Sequence, residues 1–246
     1  MRMTEERPKL AYRHTLGKGP TIVFLCGYAS DMNGTKALAL EEWAKANKRA
    51  FLRFDYAGCG ASEGTFEEQT LAGWRDDALR ILDEVVPGPV VLVGSSMGGW
   101  IMLLVARARP EQVLGLVGIA AAPDFTDWGF SHEEKLQLVE YSRIEQPSDY
   151  SDQPTITTHA FWEAGESNRV MDRPIDFHGP VRLLQGQQDP EVPWERATAL
   201  AALFRSDAVQ TWLVKDGDHR LSREDDIALI LRAVQDVLAL CSSSSS

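Results

Sequence analysis

Hydrophobic residues fall into two alternating kinds of segment along the chain. Short, unbroken apolar runs occupy residues 21–26 (TIVFLC), 50–54 (AFLRF), 90–93, 113–119, 181–184 and 211–214. They are rich in Val, Ile, Leu and Phe and stop near Gly or Asp, the pattern that parallel strands need when helices cover both of their faces. Between them the apolar positions move to helical spacing. Leu71, Trp74, Ala78, Ile81, Leu82 and Val85 make one stripe, and Ile227, Leu231, Val234 and Leu238 make another. Arg107 and Arg109 close a helix that Pro110 terminates, a favourable place for cations at the negative end of the helix dipole. Ser222 followed by Asp225 reads as a capping box for the last helix. The alternation predicts a three-layer α/β architecture around a mostly parallel sheet, in a single domain over residues 1–241. Residues 242–246 are all serine, with nothing to bury, and are expected to be disordered.

One stretch departs from the alternation. Residues 123–175 hold no strong strand pattern but carry Phe125, Trp128, Phe130, Tyr141, Tyr150, Phe161 and Trp162. A connection this long inside one domain is usually a lid or a binding insertion, so Trp128, Phe161 and Trp162 are candidate substrate contacts.

Composition narrows the classes of function. With 25 Lys+Arg against 36 Asp+Glu the net charge is −11, which argues against nucleic acid or an anionic membrane surface as the main partner. The cysteines Cys26, Cys59 and Cys241 are odd in number and lack ligand spacing, so neither a disulfide framework nor a zinc site is expected. No apolar run is long enough to span a membrane. The first ten residues mix Arg2, Arg7 and Lys9 with Glu5 and Glu6 and look like neither a secretory signal nor a mitochondrial presequence, which sets the expectation of a cytoplasmic protein.

The candidate chemistry centres on Val90-Val91-Leu92-Val93-Gly94-Ser95-Ser96-Met97-Gly98-Gly99-Trp100. A strand running through Gly-x-Ser-x-Gly into a helix is the nucleophile-elbow pattern, which strains Ser96 and sets it at a helix N-terminus. A serine hydroxyl needs a base. Of His14, His132, His159, His178 and His219, only His219 follows the last strand and so reaches the rim where Ser96 sits. Asp189, beyond the strand at 181–184, is the orienting carboxylate, with Asp124 as fallback and Asp216 and Asp218 too close to His219 in sequence. An oxyanion site needs two N–H donors, assigned to Met97 and Tyr28. The run Asp55-x-x-Gly58-x-Gly60-x-Ser62 lacks the order of a phosphate loop and reads as a structural turn, and Cys26 and Cys59 read as small buried hydrophobes.

The order Ser96, Asp189, His219 resembles the α/β-hydrolase superfamily. Gly27-Tyr28, residues 32–39 (MNGTKALA), Arg53-Phe54-Asp55-Tyr56, Gly94–Trp100, Val192-Pro193-Trp194 and Asp218-His219-Arg220 are similar to its palmitoyl-protein thioesterase and acyl-glucuronide esterase branch. The resemblance implies a serine hydrolase of carboxylic esters or thioesters, acting on a small molecule or an acylated protein. No metal or organic cofactor is expected. A slow ligand-binding receptor on the same fold is the alternative, and small-molecule esterase, peptidase or perhydrolase chemistry would use the same three residues.

Overall fold

The computed structural model describes residues 7–147 and 154–243. The elements in chain order are β1 (Tyr12–Thr15), β2 (Lys18–Leu25), α1 (Thr35–Ala46), β3 (Arg49–Phe54), α2 (Leu71–Glu84), β4 (Val90–Ser95), α3 (Met97–Ala108) and β5 (Val113–Ile119). They continue with α4 (Phe125–Trp128), α5 (His132–Tyr141), β6 (Arg143–Gln146), β7 (Thr155–Thr158), α6 (His159–Glu166), β8 (Val181–Gly186), α7 (Glu195–Leu203), β9 (Val209–Val214) and α8 (Glu224–Ser243).

β2, β3, β4, β5, β8 and β9 are the six strands expected from the apolar runs, and with β1 they form one sheet in the order β1-β3-β2-β4-β5-β8-β9. All neighbours are parallel except β1 with β3. β1 escaped the sequence reading because Tyr-Arg-His-Thr is an exposed, polar edge with no apolar run. The central strands β4 and β8 are buried along their whole length, as strands covered on both faces must be. Two glycines of β5 mark the layers. A side chain at Gly115 would strike Val237 of α8, whereas one at Gly118 would meet Met102 of α3. Positions three apart on a strand face opposite sides, so α8 and α3 cover opposite faces of the sheet.

The predicted stripe of α2 is buried at Leu71, Trp74, Ala78, Ile81 and Leu82, while Val85 is the half-buried C-cap. In α8 the deepest positions are Ile230, Ala233, Val234, Val237, Leu238 and Cys241, with Ile227 and Leu231 only half-buried. The predicted Ser222–Asp225 box does not form. Ser222 Oγ donates to the Arg220 carbonyl (3.0 Å), and Asp226 is the residue that reaches back to the Arg223 N–H (3.2 Å). α8 also runs on through Ser243, so the first two serines of the expected disordered tail are helical; residues 244–246 lie outside the described ones.

The chain between β5 and β8 leaves the sheet at the strand ends and carries α4, α5, an antiparallel β6–β7 pair and α6. The two strands were not foreseen, because Arg-Ile-Glu-Gln and Thr-Ile-Thr-Thr bury only Ile144 and Thr157. Tyr150 lies outside the described residues. Among the described residues no helix is long and apolar enough to cross a membrane.

Candidate active site

Ser96 sits between β4 and α3 with φ 54° and ψ −121°, a conformation a serine adopts only when its surroundings impose it. Three backbone bonds impose it here: Ser96 N–H donates to Ile119 O (2.9 Å), and Ser96 O accepts from Gly99 (2.9 Å) and Ala122 (3.0 Å). The flanking glycines are steric necessities. A side chain at Gly94 would strike the Gly98 backbone, and one at Gly98 would strike the Leu25 and Cys26 carbonyl oxygens. The elbow therefore follows from the local sequence, with Ser96 presented half-buried at the start of α3.

The structure brings Ser96, His219 and Asp189 together. His219 Nε2 lies 3.2 Å from Ser96 Oγ, and His219 Nδ1 lies 2.8 Å from Asp189 Oδ2. The histidine side chain is 11% exposed and the aspartate side chain 0%. Burial alone would raise the Asp189 carboxyl. The His219 ring beside it and the backbone N–H groups of Val192 (2.9 Å) and Glu191 (2.8 Å) outweigh burial and hold it below the ordinary carboxylate range.

Two neighbours of this array were missed by the sequence reading. Gln185, fully buried at the end of β8, donates from Nε2 to Asp189 Oδ2 (2.8 Å). A lone amide at the tip of an apolar strand was the available signal. Glu191 places Oε2 3.5 Å from His219 Nε2 and is half exposed.

The alternatives are engaged elsewhere. Asp124, in the left-handed region at φ 56°, accepts from Val170 N (2.9 Å) and Met171 N (2.8 Å) and so ties down the chain after α6. Asp216 pairs with Arg223 (2.7 Å), and Asp218 accepts from Leu221 N (2.9 Å). His14 lies on edge strand β1, His132 and His159 open α5 and α6, and His178 pairs with Asp176 (3.1 Å).

The loop after β2 lies against the elbow, where a Cβ on Gly27 would come 3.4 Å from Ser96 Cβ. Tyr28 follows Gly27 in this loop, and Met97 follows Ser96 as the first residue of α3; these are the two residues whose N–H groups are the candidate oxyanion donors. Asp55 braces this loop through Met32 N (2.6 Å) and Ala61 N (2.8 Å), and Gly58 and Gly60 take φ of 74° and 52°. The Asp55–Ser62 segment is thus a turn built around its own aspartate. Cys26 and Cys59 are both buried, and burial pushes the Cys59 thiol up to about 12 and the Cys26 thiol well above its ordinary value.

The insertion meets this loop through aromatics. The Tyr28 ring packs on Phe66, Trp74, Phe125 and Phe161, and its hydroxyl lies 3.0 Å from Thr157 Oγ1 on β7. Phe161 is almost fully buried in this cluster. Trp162 packs instead with Phe130, Leu138 and Ile144 and donates to Thr126 O (3.1 Å). Trp128 donates to Pro123 O (2.9 Å) and carries the Arg196 guanidinium 4.8 Å over its ring. Among the described residues no group of three or more His, Cys, Asp or Glu is placed to hold a metal ion.

Comparison with known proteins gives this geometry its context. The human palmitoyl-protein thioesterase ABHD10, mitochondrial, is 41% identical over 235 residues, which is 94% of this chain and 77% of that protein. The mouse alpha/beta hydrolase domain-containing protein 10 superposes with a TM-score of 0.88 at 40% identity over 96% of both chains. A putative hydrolase from Agrobacterium vitis does so with a TM-score of 0.90 at 40% identity, again over 96% of both chains. The mammalian relatives are mitochondrial proteins, which overturns the expectation of a cytoplasmic location. That expectation rested on the first ten residues, the scattered cysteines and the lack of a spanning apolar run, none of which decides a compartment. A family profile described as the alpha/beta hydrolase family matches residues 22–242, and this chain is a hydrolase that belongs to it.

Proposed function

We propose that the protein hydrolyses carboxylic thioesters and esters through an acyl-enzyme on Ser96. The observation that carries the reading is the continuous chain from Asp189 Oδ2 to His219 Nδ1 (2.8 Å) and from His219 Nε2 to Ser96 Oγ (3.2 Å). His219 Nε2 takes the Ser96 proton as Oγ bonds to the acyl carbon, and the oxyanion that forms faces the N–H groups of Tyr28 and Met97. The carbon–sulfur or carbon–oxygen bond then breaks, and the departing atom takes the proton from Nε2. Water repeats the sequence and releases the carboxylic acid. Asp189 keeps the imidazole in the tautomer that leaves Nε2 free to accept.

The likeness to palmitoyl-protein thioesterases supports an acylated protein or a small acyl ester as substrate. The described parts of the stretch between β5 and β8, residues 123–147 and 154–175, act as the cover of the site within one folding unit. Trp128 and Trp162, half-buried, supply its substrate-facing surface, and Phe161 supports it from within.

The test is kcat/KM along an acyl series from acetyl to palmitoyl, as paired oxygen esters and thioesters, with Ser96→Ala as blank. Rates that rise with chain length, thioester keeping pace with ester, support a long acyl site. A maximum at short chains assigns a small-molecule esterase. Ser96→Ala activity above about a thousandth of wild type would overturn Ser96 as nucleophile. If no substrate exceeds the blank, the receptor alternative replaces this one.

A further inference from the structure

We propose that Glu191 selects the leaving group, favouring thioesters and esters whose departing fragment is neutral or cationic over those, such as coenzyme A, whose departing fragment is anionic. The inference rests on the serine-hydrolase reading above. Among the described residues His219 Nε2 has two oxygen neighbours, Ser96 Oγ at 3.2 Å and Glu191 Oε2 at 3.5 Å. Nε2 is the atom from which the departing sulfur or oxygen takes its proton, so that atom must come within hydrogen-bond distance of it. A carboxylate that faces Nε2 therefore stands on the leaving-group side of the scissile bond, roughly two hydrogen-bond lengths from the departing atom.

The surroundings let that charge act. The Glu191 side chain is 50% exposed, whereas Asp189 is 0% exposed and committed to Nδ1. The Glu191 N–H donates to Asp189 Oδ1 (2.8 Å), which fixes the root of the side chain independently of what it carries. In the transition state an imidazolium and an oxyanion form whatever the substrate, so their interaction with Glu191 is common to all substrates and drops out when leaving groups are compared. A charge on the leaving group differs between substrates and remains in the comparison. The overall charge of −11 disfavours anions everywhere, but only a local carboxylate makes the preference depend on one residue.

The experiment compares wild type, Glu191→Gln and Glu191→Lys on thioesters of one acyl group, the one cleaved fastest in the series above. The thiols are 2-mercaptoethanol, 3-mercaptopropionate and thiocholine, and comparing proteins on one substrate cancels the intrinsic reactivity of each thiol. The ratio of kcat/KM for the anionic to the cationic thioester is expected to rise roughly three- to tenfold in Glu191→Gln and further in Glu191→Lys. The differences should narrow in about 0.5 M salt. Ratios that agree within about 1.5-fold across the three proteins overturn the inference, as does a shift that salt leaves untouched, which would mark a steric effect. Ser96→Ala as active as wild type removes the underlying reading instead; an inactive Ser96→Ala with unchanged Glu191 ratios removes this inference alone.

Discussion

At the ends of the neighbouring strands β5 and β8 the chain places Asp124 and Asp189, and the two loops use one side chain in opposite ways. Each carboxylate accepts two backbone N–H groups: those of Val170 and Met171 for Asp124, those of Glu191 and Val192 for Asp189. Asp189 adds His219 and the Gln185 amide, whereas among the described residues Asp124 adds only Arg169 at 4.0 Å. Burial raises the Asp124 carboxyl in spite of its partners; the Asp189 partners outweigh burial and lower it. Two amide bonds are thus not enough to keep a buried carboxyl in its ordinary range, and the facing imidazole makes the difference.

Substitutions that break this contrast rank by size. Asp189→Asn should lower kcat by roughly 10³- to 10⁴-fold, because the amide no longer fixes the productive tautomer. Asp124→Asn should stay within about tenfold on the same assay; equal losses would mean that the two loops do not differ in role. Gln185→Leu should cost roughly 10- to 100-fold in kcat with KM little changed, as removal of outer partners does at other sites. A change confined to KM would show that Gln185 does not orient Asp189. In denaturant titrations Asp124→Asn should lose about 1–3 kcal/mol, since one backbone N–H group loses its acceptor.

The smallest effect is the pH dependence of these stability losses, and its sign differs between the two sites. A lowered carboxyl contributes stability above the ordinary carboxylate value of about 4, lost as pH falls through the folded value. The cost of Asp189→Asn should therefore shrink on acidification below about pH 4. A raised carboxyl contributes most below that value and loses it as pH rises, so the cost of Asp124→Asn should shrink from about pH 4 towards neutrality. Parallel pH profiles for the two variants would contradict the opposite shifts.

How much of this was legible in the sequence depended on whether the cause was local. The elbow at Gly94–Gly98 could be read because strand, glycines and helix are contiguous and their sterics are short-range. His219 and Asp189 followed from strand order, since parallel strands deliver their ends to one rim. Gln185 left only the faint signal of an amide at the tip of an apolar strand, and Glu191 left none, because its significance lies in its distance to His219, far along the chain. β1, β6 and β7 were missed because polar, half-exposed strands owe their form to a partner strand and bury too little to leave a run. The Ser222 cap failed because Asp226 competes for the same helix start.

Tyr28 joins two parts of the molecule that are distant in sequence. Its backbone belongs to the loop against Ser96, while its ring and hydroxyl are gripped by Phe125 and Phe161 and by Thr157 of the insertion. In mechanical terms it is a shared bearing, so a displacement of the β6–β7 pair is carried into the loop whose N–H is assigned to the oxyanion. On the proposed reading, a substrate that fits the cover poorly should lose rate as well as affinity, which kcat and KM measured separately along the acyl series would show.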